Sequence, residues 1–461
     1  MNLEKHKVKD MPSPPSFRKL LGPSFILLGL GLGSGELILW PYLTSNFGMG
    51  IIWGAVLGVT LQFFINMEIE RYSLVRGESI FVGFARKLRV APFWFIMSTF
   101  VGFGWPGIVG SSAYLISSVL GLNDYRILAI AFLIAMGGIL TIGSILYKTV
   151  EKISIFILLF SIPLILAITL FISKNSDWIS LIQGIVGTGQ GYKFLPVNIP
   201  IISFLAAFAF SGAGGNLNLA QSFYIKEKGY GMGKFSGRIT SILTGEVEEI
   251  KLEGTRFEMT IENLKKFKRW WKLVNIEHFL VFWLGGIATI LLLGLLAYSS
   301  VFGKMLPSQG INFVIFEAYE IAKKTFPFVA PMFLLIAGVL LFSTQMTVLD
   351  ATSRIMSENL LIIRHESWKT KHLPKIYYSF LWAQIIFGVI VFLGRFGEPL
   401  FLLTLSAVIN AFAMFVHILF TLFLNLKSLD KEVRPSLIRV LIMLLAFSFF
   451  GYLTLKTILS I

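Results

Sequence analysis

The chain has 461 residues, of which 55% are hydrophobic and only 14% are charged. This composition excludes a soluble globular protein, because so much apolar surface could not be buried in one core. The absence of cysteine excludes a disulfide framework and a thiolate metal site. The net charge of +15 would suit a nucleic-acid-binding protein. However, the basic residues alternate with hydrophobic segments as membrane topology requires, so we expect no nucleic-acid partner.

Hydrophobic segments long enough to cross a bilayer recur along the whole chain. We predict an all-α membrane protein with about eleven transmembrane helices, whose partner is the lipid bilayer. The predicted spans are Leu20–Phe47, Ile51–Tyr72, Pro92–Leu120, Tyr125–Tyr147, Ile153–Ser173, Ile201–Tyr224, Asn275–Phe302, Phe328–Asn359, Ile376–Leu393, Pro399–Leu424 and Pro435–Leu459. Basic residues cluster before span 1 and after the even-numbered spans. The positive-inside rule therefore predicts a multi-pass protein of the cell (inner or plasma) membrane, with its N-terminus cytoplasmic and its C-terminus outside.

The spans group into two halves of five, followed by an eleventh span. The predicted units are a cytoplasmic tail (1–19), a first repeat (20–173), an external loop (174–200), a second repeat (201–424) with a cytoplasmic insert (226–272), and the last span (435–461). Within the insert, Glu246–Leu252 and Arg256–Ile261 alternate in character around a glycine, which predicts a β-hairpin. Asn263–Trp271 predicts a basic, aromatic surface helix. We interpret the insert as a structural linker rather than a regulatory domain. Gly310–Lys324 predicts a helix that caps an external vestibule.

Two spans are interrupted by glycine and polar residues, which weaken a helix. In span 1 the interruption is Gly29, Gly31, Gly33, Ser34 and Gly35, followed by Glu36; in span 6 it is Ser211 to Asn216, followed by Asn218 and Gln221. Backbone freed from a helix inside a membrane must face protein or a water-filled cavity. Broken helices at positions 1 and 6 of two five-span halves are typical of an inverted-repeat transporter. The predicted cargo site consists of Gly33, Ser34, Glu36, Ala213, Gly214, Asn216 and Asn218, with Thr344 and Gln345 of span 8.

Glu36 has the clearest predicted function of this set, because a carboxylate deep in a span is costly. The alternative is a structural acid held by hydrogen bonds. The glycines also have an alternative interpretation, since Gly29 and Gly33 have the small-xxx-small spacing that lets helices pack closely. The site offers only oxygen ligands, which suit hard cations, so Glu36 and Asn216 are the predicted metal ligands. Glu36 and His417 are the candidate proton carriers, and His417 is equally interpreted as a histidine hydrogen-bonded within the bundle.

Other charged residues near the span ends have structural interpretations. Asp350 lies four residues before Arg354, which predicts an ion pair on the helix surface. Glu68 and Glu70 lie beside an arginine at the end of span 2, which predicts an interfacial position.

Several motifs resemble those of the natural resistance-associated macrophage proteins, the Nramp divalent-metal transporters, which have the LeuT fold. Gly22-Pro23-Ser24-Phe25 is similar to the family's entry to span 1, and Gly33-Ser34-Gly35-Glu36 stands where the family has Asp-Pro-Gly-Asn. Ala213-Gly214-Gly215-Asn216 stands where the family has Met-Pro-His-Asn and keeps only the asparagine. The segments Ser343–Glu358 and Leu403–Ser406 resemble the family's spans 8 and 10. The resemblance implies a LeuT-like fold with a five-plus-five inverted repeat and a divalent-cation cargo.

We therefore predict an Nramp-like secondary transporter, of the symporter type, that moves hard divalent cations such as manganese or magnesium by alternating access. Two alternatives remain open. One is transport of a small polar organic solute, for which the methionine-free break in span 6 leaves room; the other is a transport-dead membrane sensor. The chain has neither His-Glu-x-x-His nor Gly-x-Ser-x-Gly, so we predict no enzyme. We expect no cofactor apart from the transported cation, and the coupling ion and oligomeric state stay open.

Overall fold

The computed structural model describes residues 6–17, 20–142, 146–237, 239, 251–304 and 311–459. Within these ranges, nine helices are long and apolar enough to cross a bilayer. A tenth span consists of Pro23–Gly31 and Gly35–Phe47, which meet at an angle of 40°. Span 6 is divided into Ile201–Ala209 and Gln221–Lys228, each too short to cross a bilayer alone. The predicted all-α membrane fold is confirmed, with breaks in spans 1 and 6.

The bounds of the remaining spans differ from the predicted ones by a few residues at most ends. They are Met49–Arg76, Ala91–Phe103 with Gly107–Leu120, Tyr125–Ile142, Leu146–Ile172, Ile261–Val301, Val329–Ile363, Leu373–Leu393, Pro399–Ser428 and Leu437–Ile458. Span 3 is interrupted before Gly107 because Pro106 has no backbone N–H to donate. Spans 2 and 8 are the most deeply buried, while spans 4 and 11 present most of their apolar side chains outward, as lipid-facing helices do.

Short elements connect the spans. The helices are Ile80–Lys87, Asn175–Ile185 and Asn312–Lys324. Short 3₁₀-helices are Met49–Ile51, Gly215–Ala220, Gly231–Phe235, Thr370–His372 and Lys431–Val433, and π-helical turns are Gly35–Leu39 and Phe279–Leu284. Thr188–Gly189 and Tyr192–Lys193 form an antiparallel pair. The helix predicted over Gly310–Lys324 is confirmed for Asn312–Lys324, and Gly310 lies outside the described residues.

The insert differs from its prediction in two ways. Thr255–Arg256 pairs in parallel with Lys7–Val8 near the N-terminus, and most of the predicted partner Glu246–Leu252 lies outside the described residues. The predicted surface helix Asn263–Trp271 is wrong as a separate element, because it belongs to one continuous helix that runs into span 7. Its apolar face buries Trp270, whose indole N–H donates to the carbonyl of Pro12 at 2.7 Å. The N-terminal segment is thus fastened to the insert.

The helix bundle has two ends. Spans 2, 6 and 10 finish at Arg76, Lys228 and Ser428, and we call this the insert end. Span 1 finishes at Phe47 and span 6 begins at Ile201 at the other end, which we call the opposite end. The antiparallel direction of successive spans places the breaks of spans 1 and 6 between the two ends.

Candidate functional site

The breaks in spans 1 and 6 touch each other. A Cβ atom added to Gly31 would lie 3.0 Å from the Cα of Gly212, and one added to Gly35 would lie 1.8 Å from the carbonyl oxygen of Phe210. Only glycine permits this approach, because any other residue would force the two backbones apart. In this pair of spans, the glycines that interrupt the helices therefore also allow them to cross closely.

Span 6 loses its helix because its backbone turns into conformations that favour glycine. Gly214 and Gly215 have φ angles of 69° and 54°, in the left-handed region that side chains disfavour. The helix ends at Ala209 and resumes as a 3₁₀ turn at Gly215. In span 1 the helix ends at Gly31 and continues after three residues as a π-helical turn, a distortion that often accompanies functional sites.

A small cavity lies between the two breaks. Its volume is about 10 Å³, close to the space of one water molecule. Its lining includes the polar residues Ser34 and Thr344 and the apolar residues Phe103, Ile108 and Val348. The residues that line this cavity are buried, and an organic molecule would need the surrounding spans to move apart.

Side chains from neighbouring spans satisfy the backbone groups that the breaks expose. The hydroxyl of Thr344 lies 3.1 Å from the carbonyl oxygen of Gly29 and 3.0 Å from that of Leu32. In span 6, Gln62 Nε2 donates to the carbonyl of Ala209 at 3.1 Å, and Gln62 Oε1 accepts from the Gly214 N–H at 3.1 Å. Buried backbone groups without partners are costly in a membrane. Thr344 and Gln62 therefore stabilise the non-helical backbone of the two breaks.

Sequence reasoning did not identify Gln62. Its signal was a carboxamide in the middle of an apolar span, where a polar side chain needs a specific partner. The partner could not be named from the sequence, because the backbone groups it bonds are almost 150 residues further along the chain.

Asn216 and Asn218 both face other spans through their amide nitrogens. Asn216 Nδ2 donates to Ser98 Oγ at 2.8 Å and to Thr99 Oγ1 at 2.9 Å, both in span 3. Asn218 Nδ2 donates to Asn66 Oδ1 at 2.7 Å, in span 2. The Oδ1 atoms of Asn216 and Asn218 are buried and have no hydrogen-bond partner among the described residues. Both oxygens are thus free to accept from a ligand or a water.

Glu36 is buried but does not line the cavity. The hydroxyl of Thr289, in span 7, donates to Glu36 Oε2 at 2.6 Å, so the side chain points from the π-helical turn of span 1 toward span 7. Gly35, its neighbour, does line the cavity. The structure therefore does not bring Glu36 and Asn216 together, since one contacts span 7 and the other contacts span 3.

The remaining predicted residues lie at the edges of the site. Ala213 lines the cavity, and a Cβ atom on Gly33 would lie 2.6 Å from the Thr344 methyl group. Gln345 is buried, with its side-chain oxygen lacking a partner among the described residues. His417 Nε2 lies 3.0 Å from the carbonyl oxygen of Gly215, so it contacts the break itself.

A further amide from span 10 was also missed. Asn410 Nδ2 donates to the carbonyl of Gly102, in span 3, at 2.9 Å. A Cβ atom added to Gly215 would lie 2.1 Å from Asn410 Oδ1, so this side chain packs directly on the break in span 6. Spans 3, 6 and 10 therefore share a polar cluster beside the cavity.

Metal-ligating side chains are sparse at this site. Across the described parts of the chain, no three His, Asp or Glu side chains are grouped so that they could hold a metal ion. A cation here would meet at most one carboxylate, with neutral oxygens from side chains and backbone. Such a ligand set would hold a divalent cation only weakly.

No family model and no curated protein matches the sequence, but solved structures match the fold over nearly the whole chain. The manganese transporter of Eremococcus coleocola, in complex with an aromatic bis-isothiourea substituted compound, has a TM-score of 0.69 at 14% identity, covering 99% of this chain and 90% of that one. MhsT in complex with L-phenylalanine has a TM-score of 0.57 at 16% identity, covering 95% and 98%. Mhp1, a nucleobase-cation-symport-1 family transporter in a closed conformation with bromovinylhydantoin bound, has a TM-score of 0.54 at 12% identity, covering 97% and 95%. The chain therefore has the LeuT-like fold of these membrane transporters, as its broken spans 1 and 6 predict.

Proposed function

We propose that the chain is a secondary transporter, and not an enzyme, that carries a hard divalent cation such as manganese or magnesium by alternating access. The observation that carries this proposal is the contact of two broken helices around an ion-sized cavity, with their free backbone groups satisfied by Thr344 and Gln62. Broken helices at the middle of the membrane are where transporters of this architecture bind cargo. The similarity in fold to a manganese transporter supports the choice of cargo.

The proposed ligands are oxygens at the crossing. Ser34 and Thr344 line the cavity, Asn216 has an unpartnered amide oxygen, and Glu36 is the nearest carboxylate along span 1. The Glu36 carboxylate would have to break its hydrogen bond with Thr289 before it could bind a cation. Cation binding by Glu36 would therefore accompany a rotation of the π-helical turn. We propose Glu36 and His417 as the groups that respond to protons, and the cytoplasm as the location of the insert end, in agreement with the positive-inside rule.

The test is uptake of manganese and of magnesium into proteoliposomes under an inside-negative potential. Glu36→Gln removes the charge and keeps the size of the side chain. Glu262→Gln is the matched control, because the same change is made at an exposed carboxylate. The proposal expects saturable uptake that Glu36→Gln lowers at least about tenfold and Glu262→Gln leaves unchanged. Saturable uptake that Glu36→Gln does not affect would remove Glu36 from the mechanism.

A second candidate cargo is a small polar organic solute. It is favoured by the lining of the cavity, which includes Phe103, Ile108 and Phe210 but no carboxylate. MhsT and Mhp1, which share this fold, hold L-phenylalanine and bromovinylhydantoin in their structures. Absence of uptake for both metals, together with thermal stabilisation of the purified chain by an amino acid or nucleobase, would favour this cargo over a cation.

A further inference from the structure

A larger cavity lies at the insert end, remote from the crossing of spans 1 and 6. Its volume is about 500 Å³, within the range of small-molecule sites. Its lining includes six basic side chains: His6, Arg76, Arg86, Lys87, Arg256 and Lys427. They come from five different parts of the chain, namely the N-terminal segment, the end of span 2, the helix Ile80–Lys87, the insert and the end of span 10. We call this cavity the basic pocket.

Part of this positive charge is neutralised inside the protein. Glu78 lies 3.2 Å from Arg86 and 3.1 Å from His6. Burial raises the pKa of Glu78, but the hydrogen bond and charge of His6 and the charge of Arg86 outweigh burial and lower this pKa to about 2. Arg76 donates to the carbonyl of Ser428 and lies 3.4 Å from Asp430. Arg76 and Arg86 are therefore already engaged with acids.

Three cations of the basic pocket remain uncompensated. Within the described residues, Lys87, Arg256 and Lys427 make no ion pair. All three are exposed at the protein surface. Their charge is available to an anion from outside the chain, and several such groups around one cavity favour a ligand with phosphate oxygens.

The position of Arg256 is fixed by backbone contacts. Its strand pairs with Lys7–Val8, and the N–H of Gly254 donates to Glu78 Oε2 at 3.0 Å. A Cβ atom on Gly254 would lie 1.8 Å from the carbonyl oxygen of Arg76, so the insert backbone lies directly on the end of span 2. These backbone contacts fix the part of the basic pocket that carries Arg256.

An apolar groove adjoins the basic pocket and shares Lys87 with it. The groove has a volume of about 180 Å³ and lies between the helix Ile80–Lys87 and span 10, where Phe84, Leu88, Phe420 and Phe423 contribute to its lining. Leu88 and Phe423 are 42% and 50% exposed. Apolar side chains exposed beside a membrane span are in a position to contact acyl chains.

We propose that the basic pocket and its groove bind one anionic phospholipid, with the phosphate-bearing headgroup among Lys87, Arg256 and Lys427 and part of an acyl chain against Phe423. Basic pockets beside spans recognise such headgroups, and the contiguous groove favours a lipid over a soluble phosphate compound. The bound lipid would join the insert to the ends of spans 2 and 10. The proposal is independent of which cargo the transporter carries.

The test is native mass spectrometry of the full chain in detergent, titrated with cardiolipin, phosphatidylglycerol or phosphatidylcholine. The pocket variant carries Lys87→Gln, Arg256→Gln and Lys427→Gln. Its matched control removes three charges elsewhere at the insert end, with Lys265→Gln, Lys268→Gln and Lys369→Gln. The groove variant is Phe423→Gln, and Lys427→Gln alone is the fallback if the triple variant does not fold.

The proposal expects the pocket variant to bind both anionic lipids at least about tenfold more weakly. Phe423→Gln and Lys427→Gln should each weaken binding about threefold, while the control and all phosphatidylcholine affinities should stay unchanged. Equal losses in the pocket variant and its control would overturn the site. Tight, pocket-dependent binding of inorganic pyrophosphate, with no effect of Phe423→Gln on lipid affinity, would assign the pocket to a soluble anion and overturn the lipid assignment.

Discussion

The two ends of the helix bundle differ in how their spans contact one another. At the insert end, two buried ion pairs join spans 6 and 8: Arg354 contacts Glu227, and Lys226 contacts Glu358 at 3.1 Å. Arg354 also contacts Asp350, one turn away in span 8, at 2.9 Å. At the opposite end, spans 1, 6 and 10 leave an open recess of about 430 Å³. A transporter that alternates access needs one end open while the other is shut. We infer that these ion pairs keep spans 6 and 8 together at the insert end, apart from the basic pocket, whereas the recess at the opposite end lies between spans that no ion pair joins within the described residues.

The opposite end is lined by neutral and aromatic groups with one acid. Tyr42, Asn46, Ser203, Thr404 and Glu398 contribute to the recess, and no ion pair crosses it within the described residues. Buried ion pairs are costly to break by removing one partner, because an uncompensated charge remains. Substitutions at the insert end should therefore change both stability and accessibility, while those at the opposite end should have smaller effects.

Removing Arg354 should have the largest effect. Arg354→Leu leaves Asp350 and Glu227 buried without their cation, at a cost of about 3–5 kcal/mol in the free energy of unfolding. It should also open the insert end. Because the chain has no cysteine, a single Ser222→Cys reports accessibility: its labelling by a water-soluble maleimide should be slow in the parent and faster with Arg354→Leu.

The matched reporter is Ser203→Cys in the recess at the opposite end. Its labelling should be fast in the parent and unchanged or slower with Arg354→Leu. Equal acceleration at both positions would indicate general unfolding and would contradict a role of the ion pairs in closing one end.

A buried acid near the opposite end should make stability depend on pH. Burial raises the pKa of Glu317, in the short helix Asn312–Lys324, from 4.5 to about 8. The folded state therefore favours the protonated form, and the stability this group contributes is present below about pH 4.5 and declines as the pH rises toward 8. Glu317→Gln should stabilise the chain by about 2–4 kcal/mol at pH 8.5 and have little effect at pH 4.5.

The control for this prediction is Glu320, in the same helix. Hydrogen bonds from Lys304 and Lys323 lower its pKa, so Glu320→Gln should not stabilise the chain at high pH. Thermal unfolding of the three proteins at both pH values measures the difference. A Glu317→Gln variant that melts like the parent at pH 8.5 would contradict the assignment.

Gln62 lies between the two ends and should have a smaller effect. Gln62→Leu keeps the volume but leaves the Ala209 carbonyl and the Gly214 N–H without their partner. Each buried, unsatisfied group costs about 1–3 kcal/mol. We expect a lower melting temperature and reduced uptake, whereas Gln190→Leu in the loop at the opposite end should lose little of either. Unchanged uptake in Gln62→Leu would show that the break in span 6 is stable without this side chain.

The architecture was predictable because it depends on local properties of the sequence. Segment length and hydrophobicity predict the spans, and the glycines near Gly33 and Gly214 predict the breaks. The pairing of Asp350 with Arg354 was also predictable from their spacing of four, but its surface location is wrong. Both are buried, and their further partners come from other helices: Glu227 contacts Arg354, and the hydroxyl of Tyr377 donates to Asp350.

The side-chain partners at the site were not predictable, since they depend on how the spans rotate against one another. The π-helical turn directs Glu36 toward Thr289, and no local pattern indicates that direction. The interfacial position of Glu68 and Glu70 stays a prediction, but the sequence did not indicate that other parts of the protein cover them. Both are buried, because Arg71 and the last two spans cover the end of span 2.

We propose that cargo passes the crossing of spans 1 and 6. The most direct measurement is manganese and magnesium uptake by proteoliposomes of the parent chain, Gly35→Ala and Gly138→Ala. The added methyl group at Gly35 would lie 1.8 Å from the Phe210 carbonyl, while at Gly138 it meets nothing within 4 Å. We predict that Gly35→Ala abolishes uptake and Gly138→Ala preserves it. Uptake by folded Gly35→Ala equal to that of the parent would contradict the claim.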